Sequence, residues 1–245
     1  MNDVNQEKED RRVYVMSSEN PIKAVIKMGV PVTIGMLIMV VYNLVDTYFV
    51  GLLHDDFQLA AINLSYPIMM VSVAVASVVG NGGSSYIARC IGSNQKKQAA
   101  HTLTIWFELI LASAIIITIF GLIFLDPIIT LLGANDASFI YTKNYCFVMI
   151  IGSFFTMGNY AIGQLLRSEG STLYSMIGMI SGTITNIVLD PVFIFEFNLK
   201  ITGAAIATII GNAVSVFIFL GFYLTNKTLI TPSIHLLTLD KTRLN

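Results

Sequence analysis

Two aspartates stand inside apolar stretches of the sequence, and each has an asparagine one helical turn before it. Asp46 follows Asn43 by three residues, and Asp190 follows Asn186 by four. On a helix either spacing puts the amide and the carboxylate on one face, and Thr208 adds a hydroxyl in a third apolar stretch. Carboxylate, amide and hydroxyl oxygens are hard ligands that suit a proton or a small cation such as Na⁺. We therefore expect these five residues to form a cation site, with no other metal site in the chain.

Charged residues inside such stretches are costly if the stretches cross a membrane. Each carboxylate costs roughly 2.5–3.5 kcal/mol at mid-bilayer, so it usually faces a bundle interior or a water-filled cavity. Two carboxylates close together in a poorly hydrated site would not both stay ionised without a bound cation. The alternative is that both aspartates lie solvated at the outer interface and do nothing. A third acidic residue, Glu108, is as well explained by snorkelling or a local salt bridge as by function.

The composition shows which elements must position these side chains. Apolar residues make up 55% of the 245 residues, charged residues only 12%, and the mean hydropathy is +0.73. In a typical water-soluble domain about a quarter of all residues are charged. The few charges of this chain cannot cover the surface of such a domain. With 14 Lys and Arg against 15 Asp and Glu, the chain also lacks the basic excess that nucleic-acid binding requires. A polytopic membrane protein with the lipid bilayer as a partner remains.

Six apolar runs are long enough to cross a bilayer as helices. They occupy residues 28–53, 59–88, 101–125, 145–166, 173–195 and 203–224. Twelve of the fourteen Lys and Arg fall on one side of this arrangement, and only Lys143 and Lys200 fall on the other. Because cytoplasmic loops carry the basic excess, we expect both termini in the cytoplasm. The expected organisation is a cytoplasmic tail over 1–22, an all-α six-helix transmembrane bundle over 23–225 and a cytoplasmic linker over 226–245.

Several short motifs follow one another in a fixed order through the six runs. They are Gly29-Val30-Pro31, Tyr42-Asn43-Leu44-Val45-Asp46-Thr47, Ala88-Arg89, Arg167-Ser168-Glu169-Gly170, Asn186-Ile187-Val188-Leu189-Asp190-Pro191 and Gly203-Ala204-Ala205-Ile206-Ala207-Thr208. With these motifs the chain resembles the N-terminal lobe of the multidrug and toxic compound extrusion (MATE) transporters, particularly the sodium- or proton-coupled branch of bacteria and archaea. The resemblance covers nearly all of the predicted membrane part.

The resemblance implies an architecture and roles for single residues. Such transporters have twelve helices in two lobes around a central cavity, so this chain is expected to be one lobe that needs a second six-helix lobe, either a C-terminal half or a homodimer partner. The resemblance assigns cation coupling to Asp46 and its fifth- and sixth-helix partners named above. It makes Pro31 a hinge of the first helix, although Pro31 taken by itself is equally a static kink. It adds Asn159 and Tyr145 as weaker candidates from the fourth helix.

The expected function is a cation-coupled antiporter of the plasma (inner) membrane that exports small organic, often cationic, drugs or toxic metabolites. The coupling ion, Na⁺ or H⁺, is the only cofactor expected. One alternative is a flippase of lipid-linked oligosaccharides, which needs cationic residues deep in the spans, and the sequence places none there. Another is a half-size membrane scaffold that does not transport. No nucleophile and base, metal cluster or cofactor loop predicts an enzyme.

Overall fold

The structure is a computed structural model, and it describes residues 21–93 and 95–225. Within these ranges the chain is helical, with the following elements. They are α1 (Pro21–Gly51), α2 (Asp56–Gly92), α3 (Lys96–Ile123), α4 (Leu125–Leu131), α5 (Asp136–Ile151), α6 (Ser153–Ser168), α7 (Thr172–Pro191), a π-helical turn (Val192–Glu196) and α8 (Lys200–Leu224). The predicted linker and nearly all of the predicted N-terminal tail lie outside the described residues.

Five helices of the described part are long and apolar enough to cross a membrane, and the pair α5 and α6 makes a sixth span if it is counted as one. This confirms the predicted all-helical architecture with six spans. The fourth span differs from the prediction, because it begins at Asp136 and not at 145, and because it bends by 51° between Ile151 and Ser153. Its early start follows from Asn135, whose side chain caps the first turn by accepting the backbone N–H of Ser138 at 2.8 Å.

The connection before this span is also more regular than a simple turn. Leu125–Leu131 forms the short helix α4, although Asp126-Pro127 is a dipeptide typical of turns. Its buried Leu125 and Ile129 pack against Ile150 near the bend of the fourth span. Apolar packing therefore shapes a segment that the pattern of turn residues alone would have left irregular.

Helix α1 packs mainly on α7, and α7 packs on α8 along its length. Helix α2 packs against α3, α5 and α6 on the other side of the bundle. The largest apolar cluster lies between α2, α3, α6 and α8, around the buried Trp106 and Phe219. The predicted site residues of the first, fifth and sixth spans thus belong to three helices that are neighbours in space.

Candidate cation site

A chain of hydrogen bonds joins helices α1, α7 and α8. The amide nitrogen of Asn186 donates to Asp190 Oδ1 and to Thr208 Oγ1, each at 3.3 Å. The hydroxyls of Thr208 and Tyr42 lie 3.3 Å apart. Asp190 is fully buried, and its carboxyl group lies within electrostatic reach of Asp46. The structure therefore brings together four of the five residues expected at this site, and it adds Tyr42.

Two glycines allow α7 and α8 to approach closely beside these side chains. A Cβ atom added to Gly182 would meet the side-chain oxygen of Ser215 and would lie 2.5 Å from the carbonyl oxygen of Gly211. A Cβ atom added to Gly211 would lie 2.7 Å from the carbonyl oxygen of Gly182. Asn186 stands one turn after Gly182 on the same helix. The close backbone contact therefore holds Asn186 within hydrogen-bonding range of α8.

The backbone departs from regular α-helix directly after Asp190. Pro191 ends α7, and the next five residues form the π-helical turn. The backbone of Phe193 in this turn lies against Gly203 in α8, where a Cβ atom would come within 2.7 Å of it. Such π-helical turns are frequent at functional sites. Here the turn packs the end of the fifth span against the start of the sixth, next to Asp190.

Three buried oxygen atoms of the site have no hydrogen-bond donor among the described residues. They are Asp46 Oδ1, Asn186 Oδ1 and Asp190 Oδ2. A buried polar atom without a partner costs about 1–3 kcal/mol, and more when the group is charged. All three are acceptors, and two belong to carboxyl groups. A proton or a small cation with a preference for oxygen ligands would satisfy them.

Tyr145 of α5 lies close to this group. It is buried, and its hydroxyl is within electrostatic reach of Asp46 and Asp190. The ring packs against Ala61 of α2 and Ala205 of α8. The fourth span therefore contributes a side chain to the edge of the site.

Two of the predicted residues are not brought to the site. Asn43 is exposed and donates to the carbonyl oxygen of Met39, four residues before it in the same helix, at 2.9 Å. Successive residues of a helix are rotated by about 100°, so Asn43 is displaced from Asp46 by about 60° around the axis, whereas Tyr42 is displaced by about 40° in the other direction. The side of α1 that meets α8 is therefore the side of Tyr42. The predicted pairing of Asn43 with Asp46 is not what the structure has.

Asn159 belongs to a different network. Its amide nitrogen donates to Asn212 Oδ1 at 2.8 Å, and the amide nitrogen of Asn212 donates to Thr156 Oγ1 at 3.1 Å. Asn212 follows Thr208 by one helical turn, so this network lies next to the site and shares no hydrogen bond with it. Pro31 lies within α1, which stays helical on both sides of it. It precedes Asp46 by 15 residues, or about 22 Å along the helix axis.

The sequence and the fold both match known proteins. Residues 31–192 match the model of the MatE family. The multidrug export protein MepA of Staphylococcus saprophyticus subsp. saprophyticus is 33% identical over 228 residues, which are 92% of this chain and 50% of that protein. A crystal structure of MATE in the bent conformation superposes with a TM-score of 0.84 at 31% identity, and one in the straight conformation with 0.85 at 32%. Each superposition covers 91% of this chain and 50% of the other. The chain thus spans about half the length of the relatives it matches.

Proposed function

The chain belongs to the MATE family, and we propose that it is the N-terminal lobe of a cation-coupled antiporter that exports organic, often cationic, compounds. It is a multi-pass membrane protein. The relatives that it matches are named as multidrug export proteins, and they are twice as long. Because the chain spans only about half of those proteins, we propose a second six-helix lobe as its partner. Transport, and not catalysis, is the proposed activity.

The observation that carries the proposal is the set of three unpaired oxygens between α1 and α7. The carboxyl groups of Asp46 and Asp190 lie on different helices, and Asn186 adds a third acceptor beside them. We propose that Na⁺ or H⁺ binds between the two aspartates and neutralises them. Ion binding would then hold α1 against α7, and ion release would leave two carboxylates that repel each other.

This difference between the two states is what coupling requires. A ligand shifts a conformational equilibrium only by the difference between its affinities for the two states. We propose that Pro31, which cannot donate a backbone hydrogen bond, is the position at which α1 changes its direction when the site is empty. Crystal structures of MATE in a bent and in a straight conformation support a two-state description of the family.

The orientation and the membrane are proposals as well. The distribution of Lys and Arg supports cytoplasmic termini, since twelve of the fourteen lie on the side of the termini. In that orientation Asp46 and Asp190 lie toward the outer face of the plasma membrane. The ion would then enter from outside while the exported compound leaves.

The test uses Asp46→Asn and Asp190→Asn in the transporter assembled with its second lobe. Each variant should insert into the membrane at the normal level and should lose export of an organic cation, because the remaining carboxylate no longer shares an ion with its partner. Glu108→Gln is the matched control, since Glu108 is an intramembrane carboxylate of α3 that is exposed in the structure. Retained export by either aspartate variant would contradict the mechanism.

A second measurement tests ion binding without transport. The purified chain is unfolded by heat in Na⁺ and in K⁺ at equal ionic strength, and again over a range of pH at fixed Na⁺. A ligand at 100 times its dissociation constant stabilises the folded state by about 2.7 kcal/mol. Na⁺-specific stabilisation that is lost in both aspartate variants supports Na⁺ as the ion. Stabilisation that depends on pH but not on Na⁺, and that is lost in the same variants, supports H⁺. If neither Na⁺ nor pH changes the unfolding temperature through these aspartates, the proposed site is contradicted.

A further inference from the structure

Arg167 turns into the bundle at the end of the fourth span. It stands in the last turn of α6 and is half-buried. Its Nε and Nη2 donate to Gln164 Oε1 at 3.1 and 2.7 Å, and its Nη1 donates to Ser175 Oγ at 2.9 Å. Nη1 also lies 3.6 Å from the sulfur of Met179 in α7. The sequence placed this arginine in a connection, but the structure places its charge between two helices.

All of these partners are neutral. Within residues 21–93 and 95–225 the guanidinium makes no ion pair, and Glu169, two residues further on, accepts instead from the hydroxyl of Tyr223 at 2.8 Å. Buried or half-buried arginines are usually paired with a carboxylate, because an uncompensated charge is expensive away from water. The positive charge of Arg167 is therefore uncompensated in the described part of the chain.

The electrostatic neighbour of the arginine belongs to a network of uncharged polar groups. Tyr160, two turns before it on the same side of α6, is its electrostatic neighbour, and its hydroxyl donates to Ser77 of α2 at 3.3 Å. Asn81 donates to the same Ser77 oxygen at 2.8 Å. These three side chains are neutral and join α2 to α6.

Two donors next to each other remain available. Four of the five guanidinium hydrogens are used by the contacts given above, which leaves one on Nη2. The amide hydrogens of Gln164 have no acceptor among the described residues either. One free guanidinium N–H beside an uncompensated charge, together with the amide N–H groups of the neighbouring Gln164, suits the oxygens of a phosphate group, which form their strongest hydrogen bonds with charged donors.

We propose that Arg167 and Gln164 bind a phosphate group, either of a free anion or of a lipid headgroup, at the end of the bundle opposite the cation site. Asp190 lies 18 residues along α7 from Thr172, or about 27 Å, so the two sites are well separated. The ends of membrane-spanning helices lie at the level of the lipid phosphates, which makes this group the abundant anion there. The proposal does not depend on cation coupling.

The test is made on the purified full chain. Thermal unfolding is measured in detergent with inorganic phosphate against chloride at constant ionic strength and pH, and in nanodiscs of phosphatidylglycerol against phosphatidylcholine. Stabilisation by inorganic phosphate supports a site open to free anions. Stabilisation by phosphatidylglycerol alone supports a headgroup site. If neither inorganic phosphate nor phosphatidylglycerol stabilises the chain, the proposal is wrong.

Variants then assign the effect to the arginine. Arg167→Gln should weaken the apparent affinity by about tenfold or more, as expected for the loss of hydrogen bonds to a charged group. Arg167→Lys keeps the charge without the planar guanidinium, so its apparent affinity should lie between that of the unmodified chain and that of Arg167→Gln. The control is Arg89→Gln, an equal change of charge at an exposed arginine that lies over the ring of Tyr86. An anion effect of equal size in Arg167→Gln and in the control would refute the site, even where both fold normally.

Discussion

Replacing Gly182 by alanine tests whether the close approach of α7 and α8 holds the proposed cation site together. The added Cβ would lie 2.5 Å from the carbonyl oxygen of Gly211, whereas ordinary van der Waals contacts of a Cβ atom lie at 3.4 to 4 Å. To restore ordinary contact, the two helices must therefore separate by about 0.9 Å at this point. The bond between Asn186 and Thr208 is already 3.3 Å long, and the same movement lengthens it to about 4 Å, which is no longer a hydrogen bond.

Two effects should follow. Overpacking of this kind costs about 1–3 kcal/mol of folding free energy, so the unfolding temperature of the purified chain should fall. The increase in unfolding temperature caused by Na⁺ or H⁺ should also become smaller, because the separation moves Asn186 away from its partner on α8. Both quantities come from thermal unfolding of the chain with and without the ion.

The matched control is Gly221→Ala in α8, where no atom lies within 4 Å of an added Cβ. It should leave the ion-dependent stabilisation unchanged. The double variant with Ser215→Ala removes the side-chain part of the clash but leaves the carbonyl oxygen of Gly211, so the loss should persist. If Gly182→Ala behaved like Gly221→Ala in both measurements, the close approach would not be what positions Asn186.

The spans and most of the candidate site follow from the sequence for one physical reason. Uncompensated charges are so costly in lipid that runs without them stand out, and a carboxylate that remains in such a run, such as Asp190, needs a partner. A residue four positions earlier on a helix supplies one, which is how Asn186 could be identified. Thr208 could be added because it places a hydroxyl within a third apolar run.

The choice between Tyr42 and Asn43 could not be made in this way. Both lie within one turn of Asp46, and the asparagine is the more familiar ion ligand. Which of them faces the site depends on the side from which α8 approaches α1, and that is a property of the packed bundle. A tyrosine hydroxyl also reaches about 6 Å from its backbone, so it can meet Thr208 across a helix interface that a shorter amide cannot span.

The bend of the fourth span was also beyond the sequence. Gly152 stands in an apolar run with no proline near it, so the local pattern favours a straight helix. The bend is held by contacts from elsewhere. Thr118 of α3 donates to the carbonyl oxygen of Ile150 at 3.3 Å and lies 3.0 Å from the hydroxyl of Ser153. The side chain of Ile209 occupies the space where a Cβ of Gly152 would be. Contacts between residues distant in the chain leave no periodic signal.

Two smaller changes test the edges of the site and of the bundle. Tyr42→Phe removes the hydroxyl that bonds to α8, so the ion affinity measured by thermal unfolding should fall about 2- to 12-fold, and a result equal to that of the exposed Tyr48→Phe would contradict this role. At the start of α2, hydrogen bonds from the side chain of Gln58 and from the first backbone N–H groups hold the pKa of Asp55 below its ordinary value. A carboxyl group whose pKa is lower in the folded state stabilises the fold above its unfolded pKa of about 3.9, and this contribution is lost as the pH falls through the folded value. Asp55→Asn should therefore lower the unfolding temperature at neutral pH and flatten its decline below about pH 4, whereas the exposed Asp56→Asn should keep the decline of the unmodified chain. If the unfolding temperature of Asp55→Asn still fell below about pH 4 as steeply as that of the unmodified chain, another carboxyl group would be responsible for the fall.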